Sequence, residues 1–537
     1  MANIFLNNNN GFSWFTNETI SIKGCFFDAK NHFYEKEKMI LFFEDILSEV
    51  QFINRIKEVN GFFTVLIKFS NSIFMASDAT RKFPLFYSYK NKELSISDDI
   101  LFLKNNLQIS KIDKQSALEF KASGYTMGNK TLVKNVYQLQ SNEYLIFKNK
   151  TIVKQGFFFN YATKNINKLG YSKLKEQSIS VFDSAFRRLI ISLNNRPVVL
   201  PLSGGYDSRL IAVMLKKYNY KNVTCYTYGK KGNYEIENSK KTAEALNFKW
   251  IFIEYTEELM NNYIDSEIFK KFAHNTCKYT SMPSLQDYFA VKYLTDNNLI
   301  ASDSIFIPGY AGDLLGGSQY SKVIPNNLKA SDISGLILKE KFFHNKISKD
   351  SKIIIKNNIV KLLISFDINY TNKIPSTVFE NYDIKEKIAK LIFKASNLYT
   401  FFGYEHRFPY WDMELLKFFK EVPPKYKKVK YLYDDVLKNH YFEMFNVNFE
   451  KEIQPSLYNL NVQKVKEKIK PFLPYFILKK YLIKNDWLNY NYVTSQMMES
   501  MNRNNLKYHT KVRVYNEFNI QWYLYFSMGL IKRKNKS

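Results

Sequence analysis

One twelve-residue stretch constrains this chain more than any other: Val198-Val199-Leu200-Pro201-Leu202-Ser203-Gly204-Gly205-Tyr206-Asp207-Ser208-Arg209. An apolar, β-branched run enters a Ser-Gly-Gly-x-Asp-Ser loop and a helical pattern follows, so the segment reads as strand, tight turn and helix start. Gly204 and Gly205 carry no Cβ that would hold an anion away from backbone N–H groups. The helix starting near Asp207 adds unpaired donors and the positive end of its dipole. Asp207 has the wrong charge to bind an anion itself and makes sense as a ligand of the Mg²⁺ that accompanies ATP. The loop lacks the Gly-x-x-x-x-Gly-Lys-Ser/Thr spacing of the common P-loop. The competing explanation is a Ser/Gly turn ahead of a helix, with no ligand.

A chain of 537 residues has room for two or more domains with separate cores. No run of about eighteen apolar residues occurs, so no membrane span is expected. The first residues show no basic region ahead of a long apolar core, so no secretory signal is expected either. Cys25, Cys225 and Cys277 are too scattered for a metal site or a disulfide framework, and a cytoplasmic location is expected. The formal charge of +28 admits nucleic acid, anionic lipid or a phosphorylated substrate as partner. The lysines, however, are dispersed and no Arg-rich cluster appears, which argues against nucleic acid. The aromatic segment 522–531 before the basic tail reads as a docked C-terminal helix, with a membrane-surface helix as the alternative.

Residues 1–160 read mostly as strands. The runs 61–69 and 73–78 flank a short Ser/Asn turn as in a hairpin, and the runs 83–89 and 93–97 continue the pattern. This is an antiparallel, sheet-rich domain. Near Asn160 the period changes: Leu174, Ser178, Phe182, Ala185, Phe186, Leu189 and Ile190 recur at helical spacing. A strand, the Gly-Gly loop, a helix over 210–217, a strand over 223–228, a helix over 235–246 and a strand over 250–254 follow. Such alternation implies a doubly wound parallel sheet that binds ligands beyond the carboxyl ends of its strands. From about residue 330 the chain reads as mainly helical, with no internal repeat.

These residues resemble the asparagine synthetase superfamily over most of the chain. Ser203 to Ser208 is similar to that family's pyrophosphate loop. Gly309-Tyr310-Ala311-Gly312-Asp313-Leu314-Leu315-Gly316-Gly317 resembles its second signature, and Glu405-His406-Arg407-Phe408-Pro409-Tyr410-Trp411-Asp412 its Glu-x-Arg-x-Pro-(aromatic)-x-Asp segment. Pro423 to Lys427 and Lys430-Tyr431-Leu432 resemble the stretch beyond. The resemblance implies three parts: a glutaminase-type (class II) domain over 1–160, an ATP pyrophosphatase domain over 161–440, and a helical extension over 441–537. It also implies degeneracy in the first part. Ala2 stands where the glutaminase has its nucleophilic Cys, and Lys23-Gly24-Cys25 replaces a glutamine-binding Asn-Gly-Glu, so glutaminase activity is expected to be lost.

The implied reaction is attack of a carboxylate on the α-phosphorus of ATP, release of pyrophosphate, and amide formation from the acyl-adenylate. By resemblance, Asp207 and Asp313 hold Mg²⁺, the backbone of Ser203, Gly204, Gly205 and Ser208 cradles pyrophosphate, and Gly309 and Lys430 border it. Leu202 and Tyr228 border the adenosine. Lys451 would stabilise charge in the adenylation transition state, the alternative being a surface lysine. Glu405 would orient or deprotonate the amine, the alternative being a structural ion pair with Arg407. Arg407 and Asp412 read as scaffold and His406 as packing. Leu314, where the family has an acidic residue, and Arg209 mark a divergent branch. The substrate is a small-molecule or sugar carboxylate, such as a uronic acid in surface polysaccharide, favoured by Ile305 to Gly309. The nitrogen comes from ammonia, a substrate amine or a separate glutaminase. Asparagine synthesis, peptide or β-lactam cyclisation and tRNA modification are the alternatives.

Overall fold

The computed structural model describes residues 2–7, 11–90, 93–319, 330–366, 377–450, 486–508 and 514–532. Its first part is a sandwich. A seven-stranded antiparallel sheet runs in the order Thr151–Phe157, Glu143–Lys148, Ser72–Ser77, Asn60–Lys68, Ile20–Phe27, Phe15–Thr16, with Phe33–Glu35 also paired to Ile20–Phe27. Strand periodicity sends alternate residues to opposite faces. Leu66, Met75, Leu145 and Phe147 therefore pack on Tyr87, Leu94 and Ile96 of a second, four-stranded sheet. Val65, Ile67, Phe74 and Ile146 point the other way, onto Phe43, Phe52 and Ile56 of the short helical segments.

The expected hairpin is present, as Asn60–Lys68 and Ser72–Ser77. The next strand starts only at Phe86, beyond Pro84, which has no N–H for a ladder. One pairing is not antiparallel: Asn3–Phe5, unforeseen in the sequence, runs parallel to Glu93–Ser97.

Beyond Phe157 the chain enters the helix Tyr171–Leu193 and then a five-stranded, all-parallel sheet. The order is Lys249–Glu254, Val223–Gly229, Val198–Pro201, Ile305–Phe306, Glu405–His406. Val198 and Leu200 face the core shared with Phe182, Phe186 and Leu210, whereas Val199 faces Phe272, Phe289 and Phe306. Burial on both faces explains the unbroken apolar run. The fifth strand has two residues, too short to leave a periodic signal among the helices after residue 330. The helix Val514–Lys532 is docked, burying Phe518, Trp522 and Tyr523 against Phe269 and Tyr288. Among the described residues no helix is long and apolar enough to cross a membrane.

The two parts interlock. Asn60 donates to the Asp412 carboxylate at 3.0 Å and accepts from the Met413 N–H at 2.8 Å. Arg188 forms a two-point bond to that carboxylate at 2.7 and 2.8 Å.

Candidate functional site

The strand order reverses at Val198–Pro201, which lies between Val223–Gly229 and Ile305–Phe306. Loops leaving the carboxyl ends of two adjacent strands diverge at such a point and open a crevice between them. Here they are the Gly-Gly loop and the Gly309–Gly317 segment.

The Gly-Gly loop is shaped by its own hydroxyls. The Ser203 N–H donates to Ser208 Oγ at 3.1 Å, and the Gly205 N–H donates to Ser203 Oγ at 3.2 Å. Two donors expected to cradle an anion are thus already bonded within the loop. The helix begins directly at Tyr206, earlier than residue 210, and presents its first-turn N–H groups at the crevice. Gly204 serves close packing: a Cβ there would sit 3.1 Å from Glu235 Cα of the next helix.

Asp207 joins the two loops. Its Oδ2 accepts from the Asp313 N–H at 2.8 Å and its Oδ1 from the Tyr433 hydroxyl at 2.9 Å. Burial first, and the charge of Asp313 second, push its carboxyl up to about 7. The two aspartates thus bring like charges to one edge of the crevice, an arrangement that a cation would relieve. Glycines make the approach feasible. A Cβ on Gly312 would lie 2.8 Å from both Asp207 Cγ and the Tyr433 hydroxyl, and one on Gly316 would lie 2.8 Å from the Tyr433 ring. Gly309 lies so close that a Cβ would stand 3.0 Å from the Ser208 nitrogen. Leu314, at the position where acid was expected, is buried in the core.

A cavity of about 960 Å³ opens over this junction and is lined by Ser203, Gly205, Asp207, Tyr228, Asp313 and Lys430, among others. Lys430 and the preceding Val429 take left-handed φ values of 59° and 50°, and Lys430 pairs with Asp434 at 3.1 Å. A neighbouring hollow of about 310 Å³ is bordered by Leu202, Tyr228 and Trp487. The Tyr228 ring is stacked on Tyr255 with centroids 5.1 Å apart, giving this side a rigid aromatic wall.

Lys451 lies outside the described residues. The chain leading to it is anchored to the loop by Arg209, which is fully buried. Its guanidinium donates to the carbonyls of Val447 at 2.9 Å, Phe449 at 2.5 Å and Gly204 at 3.0 Å, and lies 4.0 Å from the Phe449 ring centroid. The Tyr206 hydroxyl adds a 2.8 Å bond to Glu450.

Glu405 is placed elsewhere. Its strand register is level with Val198 through Ile305, so five residues of extended chain, roughly 16 Å, separate it from Ser203. Its oxygens pair with Arg196 at 2.7 Å and Arg407 at 3.0 Å. Burial alone would raise its carboxyl, but Arg407 and Arg196 hold it below the ordinary range. The ion-pair alternative describes this residue. Asp412 caps the helix Met413–Glu421 and binds Arg188, a scaffold role. His406 is wedged among Phe12, Phe62 and Phe408, and its burial holds it neutral. All three cysteines are buried; burial pushes the Cys25 and Cys277 thiols up to about 12 and that of Cys225 higher still, which removes them as nucleophiles.

Sequence reasoning passed over Tyr433 and the structural use of Arg209. Tyr433 follows the quoted Lys430-Tyr431-Leu432 directly, but nothing local shows that its hydroxyl reaches Asp207, which is remote in sequence.

Residues 197–297 match DUF7411, a family of unknown function. The chain is 23% identical over 363 residues to the Microcin J25-processing protein McjC of Escherichia coli. That alignment covers 63% of this chain and 64% of McjC, so just under two thirds of the relative's length is spanned. Among solved structures, the NH3-dependent NAD synthetase of Campylobacter jejuni aligns at 15% identity and TM-score 0.20, over 38% of this chain and 99% of that one. The NMN synthetase of Francisella tularensis aligns at 13% and 0.20, over 41% and 94%.

Proposed function

We propose that this chain is an ATP-dependent ligase that adenylates a carboxylate and passes the acyl group to an amine. The observation that carries this reading is the Asp207–Asp313 unit, one residue from each loop at the sheet's switch point, facing a cavity of about 960 Å³. A volume near the top of the usual ligand-pocket range suits two reactants held side by side.

In the reaction, a carboxylate oxygen attacks the α-phosphorus and pyrophosphate departs. The amine then attacks the acyl carbon, AMP departs, and the amine's proton goes to solvent. Asp207 and Asp313 would hold Mg²⁺. Among the described residues no third acidic, His or Cys ligand joins them, and two carboxylates completed by phosphate oxygens and water suit this ion. When bound, it supplies charge neutralisation on the triphosphate. The first turn after Gly205 aims N–H donors at the departing pyrophosphate, and Lys430 adds a cation on the cavity wall. Leu202 and Tyr228 border the adenosine. Lys451 would stabilise the transition state, which the anchoring of residues 447–450 by Arg209 and Tyr206 supports.

The substrate class we favour is a chain whose own amine is the nucleophile, as in a cyclising ligase. The similarity to a microcin-processing protein supports a peptide substrate, and cysteines unsuited to releasing ammonia from glutamine support an amine carried by the substrate itself. The Ile305 to Gly309 phrase that pointed to a uronic acid has a packing reason, since Ile305, Phe306 and Ile307 are all buried. The test is mass spectrometry of candidate peptides incubated with the protein and MgATP. The reading expects loss of one water per product with one AMP formed; modification that requires added ammonium instead would favour the amidating alternative.

A further inference from the structure

A second hollow, of about 190 Å³, lies where the sandwich meets the second domain, and its walls carry Lys23, Lys82 and Lys278. Lys23 and Lys82 are only 4% and 3% exposed. Among the described residues the wall carries one carboxylate, Asp98, which accepts from the Asn7 N–H at 2.8 Å and from Trp14 Nε1 at 2.9 Å. Lys278 donates at 2.6 Å to the backbone carbonyl of Asp98, and Lys82 donates to the side-chain oxygen of Asn397. The Lys23 ammonium sits 5.7 Å from the Trp14 ring centroid and 5.8 Å from that of Phe83.

Three ammonium groups therefore converge on one space, and among the described residues none is ion-paired with a carboxylate. Buried charges are ordinarily paired, because taking them out of water unpaired is costly. Burial, reinforced by Lys278 and Lys23, holds the Lys82 ammonium well below its ordinary range; burial, partly offset by Asp98 and reinforced by Lys278, brings Lys23 down to about 8. Three lysines against one carboxylate leave this hollow electropositive. The volume somewhat exceeds that of the roughly 150 Å³ cavity that admits benzene, so the occupant is compact.

We infer that this hollow binds a compact anion with two or more negative charges, presented as phosphate or dicarboxylate oxygens, held by Lys23, Lys82 and Lys278. Lys23 and Lys82 come from the sandwich and Lys278 and Asn397 from the second domain, so the bound anion links the two. The site is separate from the nucleotide cavity, and its fate is independent of the ligase reading.

The experiment is calorimetric titration of the full chain with inorganic phosphate and, separately, malonate, with ionic strength held constant by sodium chloride. Saturable one-site binding of either anion, weakened at least about tenfold in Lys82→Met and Lys23→Met (the loss of one charge-assisted hydrogen bond), is the expected result. Which anion binds identifies the phosphoryl or carboxylate source. Without anion, Lys82→Met gives up the hydrogen bond to Asn397 together with the repulsion from Lys278 and Lys23, so its melting point is expected to stay near the parent's. If that variant fails to fold, Lys278→Met, at a half-buried position, carries the test. No saturable binding of either anion, or affinity unchanged in the lysine variants, overturns the inference.

Discussion

Replacing Gly312 by Ala adds one methyl group at the junction of the two loops. The backbone tolerates it, since Gly312 is not among the residues with positive φ; the effect comes from space. The new Cβ would stand 2.8 Å from Asp207 Cγ, 2.8 Å from the Tyr433 hydroxyl and 2.9 Å from Asp207 Oδ2. Ordinary carbon contacts lie near 3.5–4.0 Å, so the carboxylate, the hydroxyl or the segment carrying Gly312 must retreat by close to 1 Å. Overpacking of this kind costs about 1–3 kcal/mol of stability, and a displacement of about 1 Å in catalytic geometry costs about a hundredfold in rate. Thermal melting reads the first, the rate of AMP formation reads the second, and calorimetric titration with MgATP reads displacement of the Asp207 carboxylate itself. Tyr433→Phe removes one of the two clashing groups, so the double variant is expected to lose less stability than the two single losses added, by about 0.5–3 kcal/mol. Additive losses, or MgATP affinity in Gly312→Ala equal to that of the parent, would refute the placement of Asp207 against this glycine.

Asp207→Asn is expected to abolish MgATP binding while flattening the pH dependence of stability. A carboxyl held at about 7 in the fold and 3.8 outside it binds its proton more tightly when native, so stability falls as pH rises between those values, and Asn removes the fall; melting curves from pH 4 to 8 check it. Arg209→Met breaks three bonds to the carbonyls of Gly204, Val447 and Phe449; a loss of about 3 kcal/mol and faster proteolytic cleavage near residue 450 are expected in denaturant and protease assays. Glu405→Gln leaves the buried Arg407 without its carboxylate and should cost about 3–5 kcal/mol without changing MgATP affinity. Because the Glu405 carboxyl is held below its unfolded value of 4.5, its contribution is present at neutral pH and is lost as pH falls through the lower, folded value.

The parallel sheet was legible because it is buried on both faces, so its strands are unbroken apolar runs such as Val198-Val199-Leu200. The sandwich was legible because Asn60–Lys68 and Ser72–Ser77 flank a short turn. Pairs fixed by long-range packing were hidden: Asn3–Phe5 on Glu93–Ser97, and Glu405–His406 at the sheet edge. Asp207, Asp313, Ser203 and Tyr228, far apart in sequence, line one cavity. Glu405 is the exception. Its motif placed it near the chemistry, yet strand register carries it to the opposite end of the sheet, where two arginines hold it. Arg209 stood out in the sequence, but its partners at Val447 and Phe449 are contacts only the folded chain creates.

Under the proposed function, the two aspartates at the switch point serve cleavage of ATP between its α- and β-phosphates. The most direct test is to separate the nucleotide products by anion exchange after incubation with MgATP and a carboxylate-bearing peptide, in the parent chain and in Asp207→Asn. AMP and pyrophosphate in equal amounts from the parent, and neither from the variant, is the expected result. ADP and phosphate from the parent, or undiminished AMP from Asp207→Asn, would contradict it.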